Sequence, residues 1–216
     1  MLDREIIVDK TRIRQAGTTH TDITNDLRKL CELSSFDFAT LIMGRDYLTA
    51  ALHRPICNDF LARIPPYRKL LLLPRRHAKT SMVSHALPIH ILIQPREHNI
   101  YFPGKLGANT RILLAQETER RAMDNMRVLH VAFESNLLLR RLWPHVCWDK
   151  PSRDSRKWNE RAIIVPREIE FPDPSISVIG VGGAITGGRF DVEIKDDLIT
   201  EEAANSDVVM HNAIQW

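Results

Sequence analysis

Cysteine is scarce in this chain, and what there is does not pair. Cys31, Cys57 and Cys147 lie far apart, form no CxxC and leave one thiol over in any disulfide scheme. That excludes a disulfide framework and a paired-cysteine metal or redox motif, and it predicts a reduced, intracellular setting. Long hydrophobic runs are also missing. The longest, around Leu87 to Ile93, is interrupted by Pro88 and His90, far short of the roughly 20 apolar residues that a membrane-spanning helix needs. The opening Met1-Leu2-Asp3-Arg4-Glu5 carries acids where a secretory peptide needs a positive flank, so neither a signal peptide nor a membrane partner is expected. No charge of one sign dominates: 30 basic residues face 27 acidic ones, and the formal charge of +3 permits an anionic partner without requiring one. No internal repeat or low-complexity tract is present. What remains is 216 residues, 44% hydrophobic and 26% charged, enough for one sizeable globular domain with room for a smaller appendage.

The pattern changes along the chain. Up to residue 64 it is helical: Ile23, Leu27, Leu30 and Leu33 recur at three- and four-residue spacing, and further helices are predicted over Phe36 to Leu52 and Ile56 to Ile64. Residues 1–64 therefore read as an N-terminal helical appendage, and Pro65-Pro66 punctuates its end. Over 65–216 short apolar runs alternate with longer helical patterns, the signature of βαβ units and a mostly parallel sheet flanked by helices. Candidate strands are Lys69 to Leu73, Arg111 to Ala115, Ser175 to Val181 and Asp191 to Ile194. Candidate helices are Lys79 to Ile93, with Pro88 expected to bend or end it, and Glu117 to Glu134, whose Ala122, Met126, Leu129 and Phe133 form a core face. Residues 143 to 174 read as an irregular connection with one hairpin.

Two stretches carry chemistry. The first, "LPRRHAKTS" (Leu73 to Ser81), follows an apolar run and enters a helix. A phosphate-binding loop, GxxxxGK[ST], uses glycines to let backbone N–H groups wrap phosphates, a lysine to neutralise them and a hydroxyl for magnesium. Lys79-Thr80 supply the last two parts, but Leu73 and Ala78 stand where the glycines belong. The alternative is a solvated basic turn. The second stretch, "VIGVGGAITGGRFDVEIKDDLIT" (Val178 to Thr200), delivers a short alternating run into Asp196-Asp197. Where a strand ends the chain can turn both carboxylates toward one metal site, the arrangement that a phosphate-loop enzyme needs to hold magnesium and polarise water. A capping Asp pair in a loop is the plainer reading. The two features in this order, each after a strand, support one another.

At these residues the chain resembles the ATPase domain of the large terminase subunit of tailed bacteriophages. The stretches that carry the resemblance are "LLLPRRHAKTSMVSHALPIHILIQ", "RILLAQETERRAMDNM", "FESNLLLRRLWP" and "GVGGAITGGRFDVEIKDDLIT", spanning about Leu70 to Thr200. The chain departs from the family pattern at Arg76 and Ala78, where a glycine is usual; at Glu193 and Lys195, where the strand is usually apolar; and at Asp197, where glutamate is commoner. The resemblance implies a RecA-like P-loop NTPase of the additional-strand type, with ATP and Mg²⁺ as cofactors. It implies phosphate binding by the loop running through Pro74, Arg75, Arg76, His77, Ala78, Lys79, Thr80 and Ser81, with Lys79 on the β/γ-phosphates. Thr80 and Asp196 are the implied magnesium ligands, and Asp197 the residue that orients or deprotonates the attacking water. Arg75 in cis, or Arg189 reaching a neighbouring subunit, would stabilise the transferring phosphoryl group. It further implies double-stranded DNA, a portal protein and a small terminase subunit as partners, a homo-oligomeric ring, action in the host cell cytoplasm, and a chain ending before the family's coupling motif and nuclease domain.

Other residues stay open on sequence grounds. Gln116 and Glu117 sit near the phosphates or are solvated helix-start residues; Tyr67 stacks on adenine or fills a rim or core position; His77, with no partner at ligand spacing, reads as a loop histidine rather than a metal ligand. Arg120-Arg121 and Arg140-Arg141 are solvated helix faces or contacts to DNA phosphate. Two competing functions are a helicase-like nucleic-acid ATPase and a non-hydrolysing terminase fragment that acts as a binding module.

Overall fold

The computed structural model describes residues 20–62, 68–183 and 187–198. The Pro65-Pro66 boundary, Tyr67 and everything from Ile199 onward lie outside the described residues.

The N-terminal part is helical. Helix α1 spans His20–Leu33; α2, Ser35–Asp37, continues as a π-helical turn, Phe38–Ile42; α3, Ala50–Pro55, continues likewise over Ile56–Leu61. The single helix expected over Phe36 to Leu52 is therefore two. Gly44 at φ +65° stops the first, since a left-handed residue past the helix end costs glycine little and directs the chain away. Ser34 caps α2 through its Oγ, which accepts from the Asp37 N–H at 3.1 Å. Arg54 of α3 then donates to both Asp37 oxygens at 2.8 and 3.1 Å and lies 4.4 Å over the Phe36 ring, clamping α3 to α2.

The rest is an α/β layer built on a five-stranded mixed sheet of order β2-β3-β4-β1-β5. Strand β1 is Ile112–Gln116, β2 Trp158–Asn159, β3 Ala162–Ile163, β4 Ile176–Gly180 and β5 Val192–Lys195. β1 pairs in parallel with β4 and with β5, whereas β3 pairs antiparallel with both β2 and β4. The sheet is thus parallel on the side of the candidate site and closed on the other by the expected hairpin. Every β1 side chain is buried, as a central parallel strand covered on both faces requires. β5 pairs only with β1 among the described residues; it is an edge strand, and Glu193 and Lys195 project from its exposed face. The charges that interrupt its apolar pattern therefore sit in water.

Helix α4, Leu87–Leu92, follows a π-helical stretch, Ser81–Ala86. Pro88 falls in its first turn, and the wider hydrogen-bond spacing just before it absorbs the missing N–H, so the expected break becomes a change of pitch. Helix α5, Glu119–Ser135, is capped by Thr118 and buries Ala122, Met126, Leu129 and Phe133 against the sheet. Gly180 makes this packing possible: a Cβ there would lie 2.3 Å from the Glu119 backbone nitrogen. Helix α6, Leu137–Leu142, starts at Asn136, whose amide also donates to the Ile42 carbonyl at 2.7 Å.

Lys69 to Leu73 is not a strand. Among the described residues the segment has no regular secondary structure and joins no ladder of the sheet, and Leu70 and Leu72 are 78% and 79% exposed. An apolar run becomes a strand only beside another strand; here it faces the free edge of β5 across a cleft instead. Lys69 ties it down by donating to the Phe60 and Leu61 carbonyls at 2.7 and 2.9 Å.

One buried cluster joins the helical part to the α/β layer, running from Cys31, Phe36 and Phe38 through Ile89 and Trp143 to Ile112 and Ile176. His90 is its polar pin. Its Nε2–H donates to the Cys31 carbonyl at 2.7 Å, which leaves Nδ1 to accept from the Tyr101 hydroxyl at 2.6 Å. Complete burial holds the imidazole's pKa down at about 4, so it is neutral. Among the described residues, no helix is long and apolar enough to cross a membrane.

Candidate functional site

The site forms where the parallel strands end. β1 and β5 point the same way, and their C-terminal ends deliver Gln116 and Asp196-Asp197 side by side. The Asp196 N–H continues the ladder by donating to the Ala115 carbonyl at 3.0 Å. Ligands in open α/β sheets bind outside such strand ends. The loop before the π-helical stretch brings Lys79 to the same place. Its ammonium is 3.2 Å from Asp196 Oδ1 and makes a very short contact with Asp197 Oδ1, an association of residues 118 positions apart in sequence. Burial alone would lower the lysine's pKa, but its bonds to Asp197 and Asp196 outweigh that and hold it above the ordinary lysine value. Lys79 is charged and is the counter-ion of both acids.

The two acids differ in setting. Asp196 is 2% exposed, whereas the side chain of Asp197 is 60% exposed. Ser84 Oγ, fully buried, donates to Asp196 Oδ2 at 2.8 Å, and Gln116 Nε2 lies 3.5 Å from the same oxygen. Apart from its ion contact with Lys79, Oδ1 is buried without a hydrogen-bond partner. Among the described residues no group of three or more His, Cys, Asp or Glu side chains is placed to hold a metal; the fixed Asp196 Oδ1, without a hydrogen bond, is the one carboxylate oxygen here that a Mg²⁺ ion completed by phosphate and water oxygens would take.

The backbone is strained here. Among the described residues, the non-glycine residues at positive φ are Arg76 (69°), Ala78 (53°) and Asp197 (49°). All belong to the two loops that meet at the site. Each such conformation costs on the order of 1–2 kcal/mol for an L-residue. Arg76 and Ala78, where the resemblance would lead one to expect glycine, thus take a backbone conformation that glycine adopts at little cost.

The candidates separate as follows. Lys79, Asp196, Asp197 and Gln116 are brought together. Pro74, Arg75 and Arg76 form the exposed outer turn of the loop, and His77 Nδ1 bonds the turn's own carbonyls, those of Arg75 at 3.1 Å and Pro74 at 3.2 Å. Thr80 and Ser81 begin the helical stretch; a hydrogen bond of 2.7 Å joins Ser81 to Tyr47, from the loop after the first π-helical turn. The hydroxyl bonded to Asp196 is Ser84's. Arg189 precedes β5 at the end opposite the acids, about 13 Å away along the four strand residues alone, and is not part of this cluster within the chain. Glu117 is taken by Arg121 at 2.6 Å, and Arg140 by the Phe133 and Trp148 carbonyls at 2.9 and 3.0 Å, which gives both structural work. Ser84 and Tyr47 escaped the sequence reading. Neither stands in a motif, and only contact across the fold singles them out.

A cleft of about 590 Å³ opens from Lys79 and Asp196 along the outer edge of β5. Leu70, Leu71 and Leu72 wall one side and Val192 to Lys195 the other, with Val83, Leu87 and Ile91 beneath. No protein-family model matches the chain, and no curated protein matches it by sequence.

Proposed function

We propose that this chain is the ATPase domain of a phage DNA-packaging terminase, with the α/β P-loop fold of the additional-strand type. The observation that carries the reading is the meeting of Lys79 with Asp196 and Asp197 at the C-terminal ends of parallel strands, in two loops held in strained conformations. Strain of this kind persists where the surroundings enforce it and clusters at functional sites.

In this reading the Lys79 ammonium exchanges its carboxylate partners for the β/γ-phosphates of ATP. That exchange frees both acids. Asp196, fixed and buried, would hold magnesium with the help of Thr80, and Asp197, whose side chain is 60% exposed, would orient the nucleophile or take its proton. Bound magnesium would neutralise charge on the phosphate oxygens as the phosphoryl group transfers. Arg75, on the outer turn, stabilises that group from within the chain; Arg189, remote from the acids of its own chain, does so only for a neighbour in a ring. Double-stranded DNA, a portal protein and a small terminase subunit are the proposed partners, and the host cytoplasm the proposed setting. One observation favours the second reading, a non-hydrolysing fragment that acts as a binding module: among the described residues the segment leading into the loop joins no sheet ladder, so no strand holds the loop from beneath.

Calorimetry with Mg·ATP tests the reading. Wild type should bind, and Lys79→Ala should lose at least about tenfold in affinity, since a charge-assisted contact to phosphate is worth about 1.5–3 kcal/mol. If the folded wild-type protein binds no nucleotide, or Lys79→Ala binds equally well, the site is a structural ion cluster and the proposal fails.

A further inference from the structure

We propose that Ser84 is a positioning residue, which fixes the Asp196 carboxylate so that one oxygen is held by the protein and the other is presented to the metal. This rests on the nucleotide-site reading above and goes beyond it, because no phosphate-loop or acid-pair motif includes this serine. The geometry is specific. Ser84 is completely buried, and its Oγ–H reaches Asp196 Oδ2 at 2.8 Å across 112 positions of sequence. Gln116 approaches the same oxygen, at 3.5 Å, while Oδ1 takes no hydrogen bond and faces Lys79. A carboxylate is free to turn about its terminal torsion, and with Oδ2 tethered that turn is stopped. The tether comes from the π-helical stretch that directly follows Lys79 and Thr80. The stretch after the loop and Asp196 are thereby joined through one hydroxyl.

A hydrogen bond to a metal-ligating carboxylate contributes about 10- to 100-fold in metal affinity. The experiment uses the fluorescence of a mant-labelled ATP. Its affinity is measured first in EDTA, and magnesium is then titrated at fixed nucleotide, for wild type, Ser84→Ala and Ser84→Thr. Ser84→Ala should raise the magnesium midpoint about tenfold and leave the metal-free nucleotide affinity within about twofold of wild type; Ser84→Thr, which keeps the hydroxyl, should recover most of the loss. An unchanged midpoint in Ser84→Ala overturns the inference while leaving the nucleotide site intact, and so does an equal loss with and without metal, which marks a merely structural serine. If Ser84→Ala does not fold, Ser84→Cys keeps the volume, weakens the donor and is read in the same way. Absence of any magnesium-dependent nucleotide binding in wild type overturns the parent reading and this one together.

Discussion

Acid should loosen this protein well above the pH at which its carboxylates titrate, and His90 sets the size of the effect. The imidazole is completely buried between the Cys31 carbonyl and the Tyr101 hydroxyl, and its pKa is held down at about 4, against an unfolded value of about 6.5. Because the folded pKa is the lower one, the unfolded chain binds the proton more tightly. The stability is therefore fully present above pH of about 6.5 and is lost progressively as pH falls toward 4. At 1.36 kcal/mol per pKa unit the full loss is about 3 kcal/mol, of which about 2 kcal/mol falls between pH 7 and pH 5. With a urea slope of about 2–3 kcal/mol/M, the unfolding midpoint should drop by roughly 0.7–1 M over that interval. Tryptophan fluorescence is a suitable readout, since Trp143 is buried in the same cluster and packs edge-on against Phe38, itself a neighbour of His90. His85 and His145 are also lowered by burial and pull in the same direction, so the test is a difference. His90→Gln, which can keep a donor and an acceptor but cannot charge, should have a lower midpoint at pH 7 and a shallower fall to pH 5. Parallel curves for the two proteins would refute the reasoning.

Two backbone predictions follow from the loops and the sheet. Ala78 sits at φ +53°, so Ala78→Gly should relieve strain by more than it adds in unfolded-chain entropy, with a net gain of about 0.5–1 kcal/mol and a melting temperature about 1–4 °C higher; a decrease in thermal melts would show that the strain is not real. Gly180→Ala should do the opposite, because its Cβ would press on the Glu119 backbone nitrogen at 2.3 Å. Displacing α5 from β4 should cost on the order of 3 kcal/mol, as overpacking of a tight core does, and an unchanged urea midpoint would contradict the close packing described here.

Much of the fold was legible where one periodicity served one purpose. The α5 face of Ala122, Met126, Leu129 and Phe133 repeats at helical spacing and is buried as read. β1, β4 and β5 lie within a residue or so of their expected bounds, because each is a short apolar run closed by polar residues or glycine. Lys69 to Leu73 reads the same way and is not a strand, since sequence records apolarity but not whether a neighbour is there to pair with it. The meeting of Lys79 with the two acids followed from motif order. Ser84 did not: a single serine inside a helical pattern looks like any other until the fold brings it to Asp196. The π-helical turns were equally hidden, because five-residue hydrogen bonding leaves no periodicity distinct from an α-helix over so few residues.

The free edge of β5 has a consequence for the protein in bulk. Its outward N–H and C=O groups lie beside a cleft whose far wall includes two almost bare leucines, Leu70 and Leu72. Among the described residues no strand pairs with this edge, so an extended segment of another molecule can add there without breaking a described ladder, and concentration favours growth of the sheet from one chain to the next. Glu193 and Lys195 project from the same short strand and act as its gatekeepers, placing charge where a stacked neighbour would have to bury it. Among the described residues β5 is thus the strand from which growth between chains would start, and replacing both Glu193 and Lys195 by valine is the change that should promote it.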